Sequence, residues 1–163
     1  MKKILIIATL VALLAVSTIG IAMAKNTPAK YKAQSGNSNI GHLYLYEKDS
    51  SWDIVDGGAW GKLKYNLSGD ELEVVFNGHG LVAGQEYSLI TYVDPWPGSV
   101  LVFGTATANS GGNVHIAGAV SPSSQSLLKI WLVEACDLSG STWLDWSPAE
   151  YLFEHNTIQF DQT

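Results

Sequence analysis

The sequence predicts an all-β fold, a two-layer antiparallel β-sandwich with Ig-like or jelly-roll wiring and about eight strands. Three observations predict it. Apolar and polar residues alternate along short segments, which is the period of a half-buried strand. These segments recur along the chain, and the connections between them are rich in Gly, Asn, Ser and Pro. Helical periodicity is nearly absent, and a closed barrel is the alternative architecture.

The first strands show the alternation most clearly. The segment HLYLYEK places Leu43 and Leu45 on the face opposite Tyr44 and Tyr46. The segments AWGKLKYNL and ELEVVFN follow, and the short turn Ser68-Gly69-Asp70 between them predicts a hairpin. Lysines of one strand and glutamates of the other face outward, so we expect them to pair across the ladder for about 0.2–1 kcal/mol each.

The later strands are EYSLITYV, SVLVFGTATA, VHIAGAV, LLKIWLVEA and TIQFD. The turn NSGGN predicts a tight hairpin, because glycine and asparagine tolerate a positive φ. One helix signal interrupts the strands in SPAEYLF, where Ser147 is a candidate N-cap followed by Pro148 and, three residues after the cap, Glu150. We therefore expect one short helical turn near residues 148–153.

The N-terminal part of the chain has the pattern of an export signal. Two lysines precede a long apolar run, and Ala22-Met23-Ala24 provides a small-x-small cleavage pattern, so residues 1–24 are interpreted as a signal peptide. The alternative is a retained membrane anchor. Residues 25–39 are polar and predict a flexible leader, and residues 40–163 the β-sandwich domain. We expect the protein to be secreted or held at the cell surface.

Charge and cysteine content exclude several classes of function. The chain has a net charge of −6 and contains no arginine, which disfavours nucleic acid and anionic membrane surfaces as partners. Cys136 is the only cysteine, so an intrachain disulfide is impossible. Because Cys136 directly follows a predicted strand, we expect its side chain to be buried.

The segment LVAGQEY, residues 81–87, resembles the tyrosine-corner segment of fibronectin type III and Ig-like domains. The resemblance implies that Leu81 enters the core, Gly84 forms a bend and the Tyr87 hydroxyl bonds to backbone a few residues upstream. His79, between two glycines, is then interpreted as part of a turn rather than as a ligand. The resemblance implies a sandwich and no activity.

Transition-metal sites are disfavoured by the spacing of the possible ligands. Blue copper needs a histidine shortly after the cysteine and usually a methionine, and the segment after Cys136 has neither. Zinc prefers ligands at short spacing, whereas the four histidines are widely separated: His42, His79, His115 and His155. We therefore expect no tightly bound zinc or copper and no cofactor.

Two further sites are weak candidates. Asp49, Asp53 and Asp56 lie on a glycine-ended loop and carry the hard oxygen atoms that calcium prefers, but their spacing differs from that of an EF-hand loop. A solvated acidic loop is the favoured interpretation. Asn66 belongs to the Asn-Leu-Ser sequon and is a candidate for glycosylation.

No catalytic motif stands out in the sequence. Neither a G-x-S-x-G nucleophile elbow nor an H-E-x-x-H motif is present, so we expect the protein not to be an enzyme. A catalytic triad or a pair of carboxylates assembled from distant positions stays open. An extracellular hydrolase with such a non-local site is therefore one alternative function.

The tryptophans are the most informative residues for binding. There are six, more than a sandwich core of this size needs. Trp52, Trp96 and Trp131 lie on loops or on the outward phase of a strand, and exposed aromatic rings are typical of recognition surfaces. They are the candidate residues of a carbohydrate-binding module. The alternative is that loops cover the tryptophans as a satellite core, which is favoured for Trp143 and Trp146.

The string GNVHIAG…KIWLVEACD…WSPAEYLFEHNTIQF resembles a group of exported β-sandwich proteins found mainly in archaea, and this resemblance implies no activity. The first hypothesis is a secreted non-catalytic β-sandwich that acts as a structural or interaction module of the cell envelope or matrix. The second is a carbohydrate-binding module. The expected partner is a protein or a polysaccharide at the cell surface.

Overall fold

A computed structural model of the chain describes residues 39–92, 98–122 and 126–160. The predicted signal peptide (residues 1–24), nearly all of the predicted leader and Trp96 lie outside the described residues. The strands are β1 Ile40–Tyr46, β2 Trp60–Asn66, β3 Leu72–His79, β4 Glu86–Tyr92, β5 Val100–Thr107, β6 Val114–Val120, β7 Ser126–Glu134, β8 Leu138–Ser139, β9 Thr142–Trp143, β10 Leu152–Glu154 and β11 Ile158–Phe160. Two 3-10 turns, Ala135–Asp137 and Pro148–Glu150, complete the elements. Among the described residues no helix has the length and apolar character needed to cross a membrane.

The main sheet is antiparallel throughout and has the order β5-β4-β7-β10-β1-β2-β3-β6, with β11 paired to β7. The predicted all-β antiparallel fold of about eight principal strands is thus confirmed. The sheet curls until its two end strands, β5 and β6, lie against each other. The contact is so close that a methyl group at Gly118 would overlap the carbonyl oxygen of Phe103. Because the sheet is continuous and barrel-like, the predicted division into two layers is not distinct.

The predicted alternation in the first strands is confirmed. Leu43 and Leu45 of β1 are buried, whereas Lys62 and Lys64 of β2 are exposed. The buried side chains line the inside of the curled sheet and form the inner core. Its largest fully buried members are Tyr87, Phe76, Leu45, Leu63, Leu72, Leu89, Leu128, Ile130 and Leu132.

The tight turns follow the sequence signals. Leu81 is buried, Gly84 has a φ of +81°, and the Val82 amide donates a 3.2 Å hydrogen bond to the hydroxyl of buried Tyr87. In the β5–β6 turn, the Asn109 side-chain oxygen accepts from the amides of Gly111 and Asn113. The corner hydrogen bond and the hairpin expected from these segments are both present.

A covering segment lies on the outer face of β4, β7 and β10. It consists of residues 135–151, here called the flap, and contains both 3-10 turns and the β8–β9 ribbon. The Tyr151 hydroxyl donates a short hydrogen bond to the carboxylate of buried Asp137, and the Ser147 amide donates to Tyr151 at 3.1 Å. Since the two ends of the flap meet in this way, the intervening segment is held over the sheet.

The register of the β2–β3 hairpin corrects one prediction. Lys62 lies opposite Asn77 and Lys64 opposite Val75, so the expected lysine–glutamate pairs do not form. Glu73 instead accepts a 3.1 Å hydrogen bond from Asn66. The hairpin is present, but its turn spans more residues than Ser68-Gly69-Asp70, and this sets a different register.

Of two expectations for the flap, the burial of Cys136 is wrong and the short helical turn is confirmed. Cys136 is exposed, because β7 ends at Glu134 and the following 3-10 turn takes the chain out of the strand phase. A short helical turn is present at Pro148–Glu150, yet the Ser147 side chain makes no capping hydrogen bond. The turn also ends before residue 153, because Leu152 and Phe153 belong to β10.

Candidate functional site

A cavity of about 500 Å³ lies where β7, β10 and the end of the flap meet the loop after β1. Most of its lining side chains are aromatic, and three are charged. They are Lys48, Trp52, Tyr92, Lys129, Trp131, Trp146, Phe153 and Glu154. A second depression of about 600 Å³ lies over β4 and β5, but neither an aromatic side chain nor a cation is among the described residues that line it.

Trp131 of β7 forms the floor of the cavity. Its side chain points away from the inner core, as the strand phase predicts, yet it is only 6% exposed. The ring centroids of Tyr92, Phe153 and Trp146 lie 4.6, 5.1 and 5.5 Å from that of Trp131. The prediction of an exposed Trp131 is therefore wrong, because the flap and neighbouring strands cover it as a satellite core.

Trp52 and Trp146 form the exposed walls. Trp52 is 56% exposed, and the edge of its ring system meets Phe153 at a centroid distance of 5.0 Å. Trp146 is 37% exposed and lies on the flap. Trp52 and Trp131, two of the three tryptophans predicted to bind carbohydrate, thus line one cavity, whereas Trp96 lies outside the described residues.

The backbone of Trp52 adopts a left-handed conformation with a φ of +66°. For a large residue other than glycine this conformation costs about 1–3 kcal/mol and persists only where neighbouring bonds enforce it. Asp49 provides those bonds. Its side-chain oxygen accepts from the amides of Ser51 and Asp53, and its carbonyl accepts from the Trp52 amide.

This turn contains Asp49, one of the three weak calcium candidates. Asp49 uses its carboxylate to shape the loop that presents Trp52, whereas Asp53 and Asp56 are exposed. The three carboxylates do not form a group with metal-ligand spacing. The solvated-loop interpretation therefore fits Asp53 and Asp56, and Asp49 has a structural role that the sequence did not reveal.

Two lysines contact the aromatic rings of the cavity. The Lys48 ammonium lies 5.9 Å from the Trp52 ring centroid and donates to the carbonyl oxygen of Glu154 at 3.3 Å. The Lys129 ammonium lies 5.4 Å from the ring centroid of Tyr92. Such cation–π contacts hold the charged groups at the wall of the cavity.

Glu154 is the carboxylic acid of the cavity. Burial raises its pKa to about 7, although the positive charges of Lys48 and Lys129 and a hydrogen bond from the Trp131 side chain act in the opposite direction. Its Oε2 atom is buried and has no hydrogen-bond partner among the described residues. Because a buried polar atom without a partner is costly, this oxygen is a candidate point of attachment for a ligand.

The four histidines do not come together as a group of potential metal ligands. The His79 ring packs on Trp60 with centroids 4.8 Å apart, and its Nδ1 lies 2.7 Å from the side-chain oxygen of Asn113. His115 makes a similar 2.8 Å bond to Asn77. His79 ends β3 directly before Gly80, whose φ is +75°, in agreement with a role in the turn.

Within the described ranges, one group of three potential metal ligands lies close together: Glu134, Cys136 and Asp137, with ligand atoms within 4.8 Å. Desolvation by neighbouring groups and the carboxylates of Asp137 and Glu134 raise the pKa of the Cys136 thiol. The thiol therefore stays protonated at neutral pH, and Asp137 is already engaged by Tyr151. Of the three residues, Asp137 holds the ends of the flap together through its bond with Tyr151.

Asn66, the glycosylation candidate, is half-buried at the end of β2. Its side-chain nitrogen donates to Glu73, and its oxygen accepts from the Ser68 amide at 3.0 Å. A glycan on this nitrogen would replace the bond to Glu73.

Most of the residues that complete the cavity were not predicted from the sequence. Lys48, Lys129 and Glu154 are far apart in the chain and meet because β10 pairs with both β1 and β7. The one available signal was strand phase: Lys129 alternates with the buried residues of β7 and thus shares a face with Trp131.

Comparison of the chain with protein-family models, curated proteins and solved structures found no match.

Proposed function

We propose that this chain is an exported, non-catalytic carbohydrate-binding domain that holds a sugar ring in the aromatic cavity. The observation that carries the proposal is the pair of exposed rings, Trp52 and Trp146, placed around a floor formed by Trp131. A sugar ring has apolar C–H faces and polar hydroxyl groups at its edge. Flat aromatic side chains match its faces, and a few convergent polar groups match its edge.

The polar groups needed for orientation are also in the cavity. The buried Oε2 atom of Glu154 lacks a partner among the described residues, and the Lys48 ammonium lies beside the same residue. Hydroxyl groups both donate and accept, so they suit a carboxyl oxygen and an ammonium group together. The strained Trp52 backbone supports a binding role as well, because strain that does not aid stability is concentrated at functional sites.

The composition of the cavity favours binding over hydrolysis. Glycosidases use two carboxyl groups on opposite sides of the bond that they cleave. Among the described lining residues Glu154 is the only one with a carboxyl group. The export signal at residues 1–24 supports an extracellular polysaccharide as the ligand.

The test is titration of the purified domain with a panel of soluble oligosaccharides, followed by tryptophan fluorescence and calorimetry. We expect quenching by at least one sugar. The variants Trp52→Ala and Trp146→Ala should each lose about 1–2 kcal/mol of binding, roughly tenfold in affinity. Trp60→Ala is the matched control, since Trp60 is exposed on β2 and does not line the cavity.

Equal losses in all three variants, or binding that survives Trp52→Ala and Trp146→Ala, would reject the cavity as the sugar site. A domain that binds no sugar but captures a protein through another surface would instead support the interaction-module hypothesis.

A further inference from the structure

The charge of the cavity is opposite to that of the chain. The whole chain carries a net charge of −6, whereas the described lining residues include the two cations Lys48 and Lys129 and the single acid Glu154. The two lysines create a locally positive potential in the cavity, whereas the net negative charge of the rest of the chain tends to repel anions. A neutral sugar does not require two positive charges in its binding cavity.

The Lys48 ammonium is placed to bind a further acceptor. Of its three N–H donors, the carbonyl oxygen of Glu154 takes one at 3.3 Å. The same group lies over the Trp52 ring, 5.9 Å from its centroid, so a sugar bound beside Trp52 in the cavity would lie close to this cation. Lys129 holds a second cation near Tyr92 within the same cavity.

We propose that the cavity selects acidic sugars, the uronate residues of an anionic polysaccharide, whose carboxylate is bound by Lys48 and Lys129 while the sugar ring packs on the tryptophan walls. This inference rests on the proposed function and narrows its ligand class. A carboxylate accepts charge-assisted hydrogen bonds from ammonium groups, which are about twice as strong as neutral ones. The hydroxyl groups of the same sugar are left to Glu154.

Glu154 then makes recognition depend on pH. The charged groups that act on it are Lys48, which follows β1, and Lys129 of β7, and Trp131 adds a hydrogen bond. Since the pKa of Glu154 is about 7, lowering the pH from 8 to 5.5 neutralises it and removes its repulsion of an anionic ligand. A free sugar carboxyl, with a pKa near that of ordinary carboxylic acids (about 4), stays ionised over this range.

The decisive experiment compares each uronate oligomer with its own methyl ester. Oligogalacturonate, oligomannuronate and oligoglucuronate serve as probes, together with neutral gluco- and manno-oligosaccharides. The ester keeps the ring and removes the charge. We expect at least one acid to bind about tenfold tighter than its ester at low salt, and this preference to fall as salt is added.

Four variants, one of them a control, locate the effect. Lys48→Met and Lys129→Met should each reduce the preference for the acid about tenfold and leave binding of the ester little changed. Lys62→Met is the matched control: the Lys62 ammonium also lies over a ring, 5.8 Å from the Tyr44 centroid, but outside the cavity. Glu154→Gln should abolish the gain in affinity between pH 8 and 5.5.

The outcomes separate the two proposals. If a neutral sugar binds in the cavity and no acid exceeds its ester, the acidic-ligand inference is overturned and the carbohydrate-binding proposal stands. If the preference for acids is equal in Lys62→Met and Lys48→Met, a general surface effect replaces the inference. If no neutral or acidic sugar binds, both proposals fail.

Discussion

The two faces of the curled sheet are packed with different kinds of side chain. The inner core is mainly aliphatic, with leucines, valines and isoleucines from eight of the strands, and it includes the turn residue Leu81. The outer cluster under the flap is mainly aromatic, built around Tyr92, Trp131, Tyr151 and Phe153. Both are buried, but only the outer cluster opens into the cavity.

This difference shows how one sheet combines a tightly packed inner core with an outer cluster that opens into a cavity. Aliphatic side chains interdigitate at high density and leave few voids. Large flat rings meet edge to face, so a cluster of them leaves space between its members unless another ring fills it. The outer cluster also contains polar groups, and its stability therefore depends on protonation and hydrogen bonding in a way that the inner core does not.

The largest expected effect is a pH dependence that belongs to the outer cluster alone. Glu154 has a pKa of about 7 in the folded chain against 4.5 for an unperturbed glutamate. Between these values the folded state holds a proton that the unfolded state releases, so the free energy of unfolding falls as pH rises from 4.5 to 7. The full loss is roughly 3 kcal/mol.

Urea denaturation at pH 5 and pH 8 measures this effect, and Glu154→Gln should remove the loss. Glu71→Gln, at an exposed position, is the control and should keep the wild-type difference. Parallel pH profiles for wild type and Glu154→Gln would show that burial at Glu154 does not oppose ionisation.

The next effect compares a tyrosine hydroxyl from each region. Tyr151→Phe removes the donor to the buried carboxylate of Asp137 and frees the end of the flap, so we expect a loss of about 2–3 kcal/mol in the free energy of unfolding. Tyr87→Phe is the matched substitution in the inner core. It removes one bond to the amide of exposed Val82 and should cost only about 1 kcal/mol.

Sugar affinity gives a second comparison of the two variants. Tyr151→Phe should weaken sugar binding because it loosens the flap that carries Trp146, whereas Tyr87→Phe should leave sugar binding unchanged. If the two substitutions had equal effects on both stability and binding, the Tyr151 hydrogen bond would be no more important to the flap than the Tyr87 hydrogen bond is to the inner core.

The smallest effect isolates the strain at Trp52. Glycine adopts a positive φ without steric cost and alanine does not, so Trp52→Gly should be more stable than Trp52→Ala by about 1 kcal/mol. This reverses the usual order of the two residues, and both variants should lose sugar binding alike. Thermal unfolding of the two variants measures this difference in stability. A Trp52→Ala variant more stable than Trp52→Gly would show that the turn is not strained.

The inner core was predictable from the sequence because its signals are local. Alternation in β1, β2 and β3 identifies which side chains are buried, and Leu81, Gly84 and Tyr87 form the corner within seven residues. The barrel-like closure was not predictable in the same way, since it depends on how β5 meets β6 across the whole sheet.

The cavity was predictable only in part. Strand phase and loop position identified Trp52 and Trp131, but the burial of Trp131 depends on the flap, which packs from elsewhere in the chain. Lys48 and Glu154 gave no signal, because a lysine and a glutamate at strand ends are ordinary surface residues until β1 and β10 pair. Asp49 was a weak calcium candidate on a loop interpreted as solvated, and its bonds to the Trp52 turn could not be identified from the sequence.

The contact between β5 and β6 has one further consequence. These strands end the hydrogen-bonded order of the sheet, and they approach each other where Gly104 and Gly118 carry no side chain. Each strand thereby shields the other from a neighbouring molecule that would extend the sheet, which is the route by which open edges lead to aggregation. The two glycines thus help to protect the protein from edge-to-edge aggregation at high concentration. The contact between β5 and β6 in turn depends on the close packing that these glycines allow.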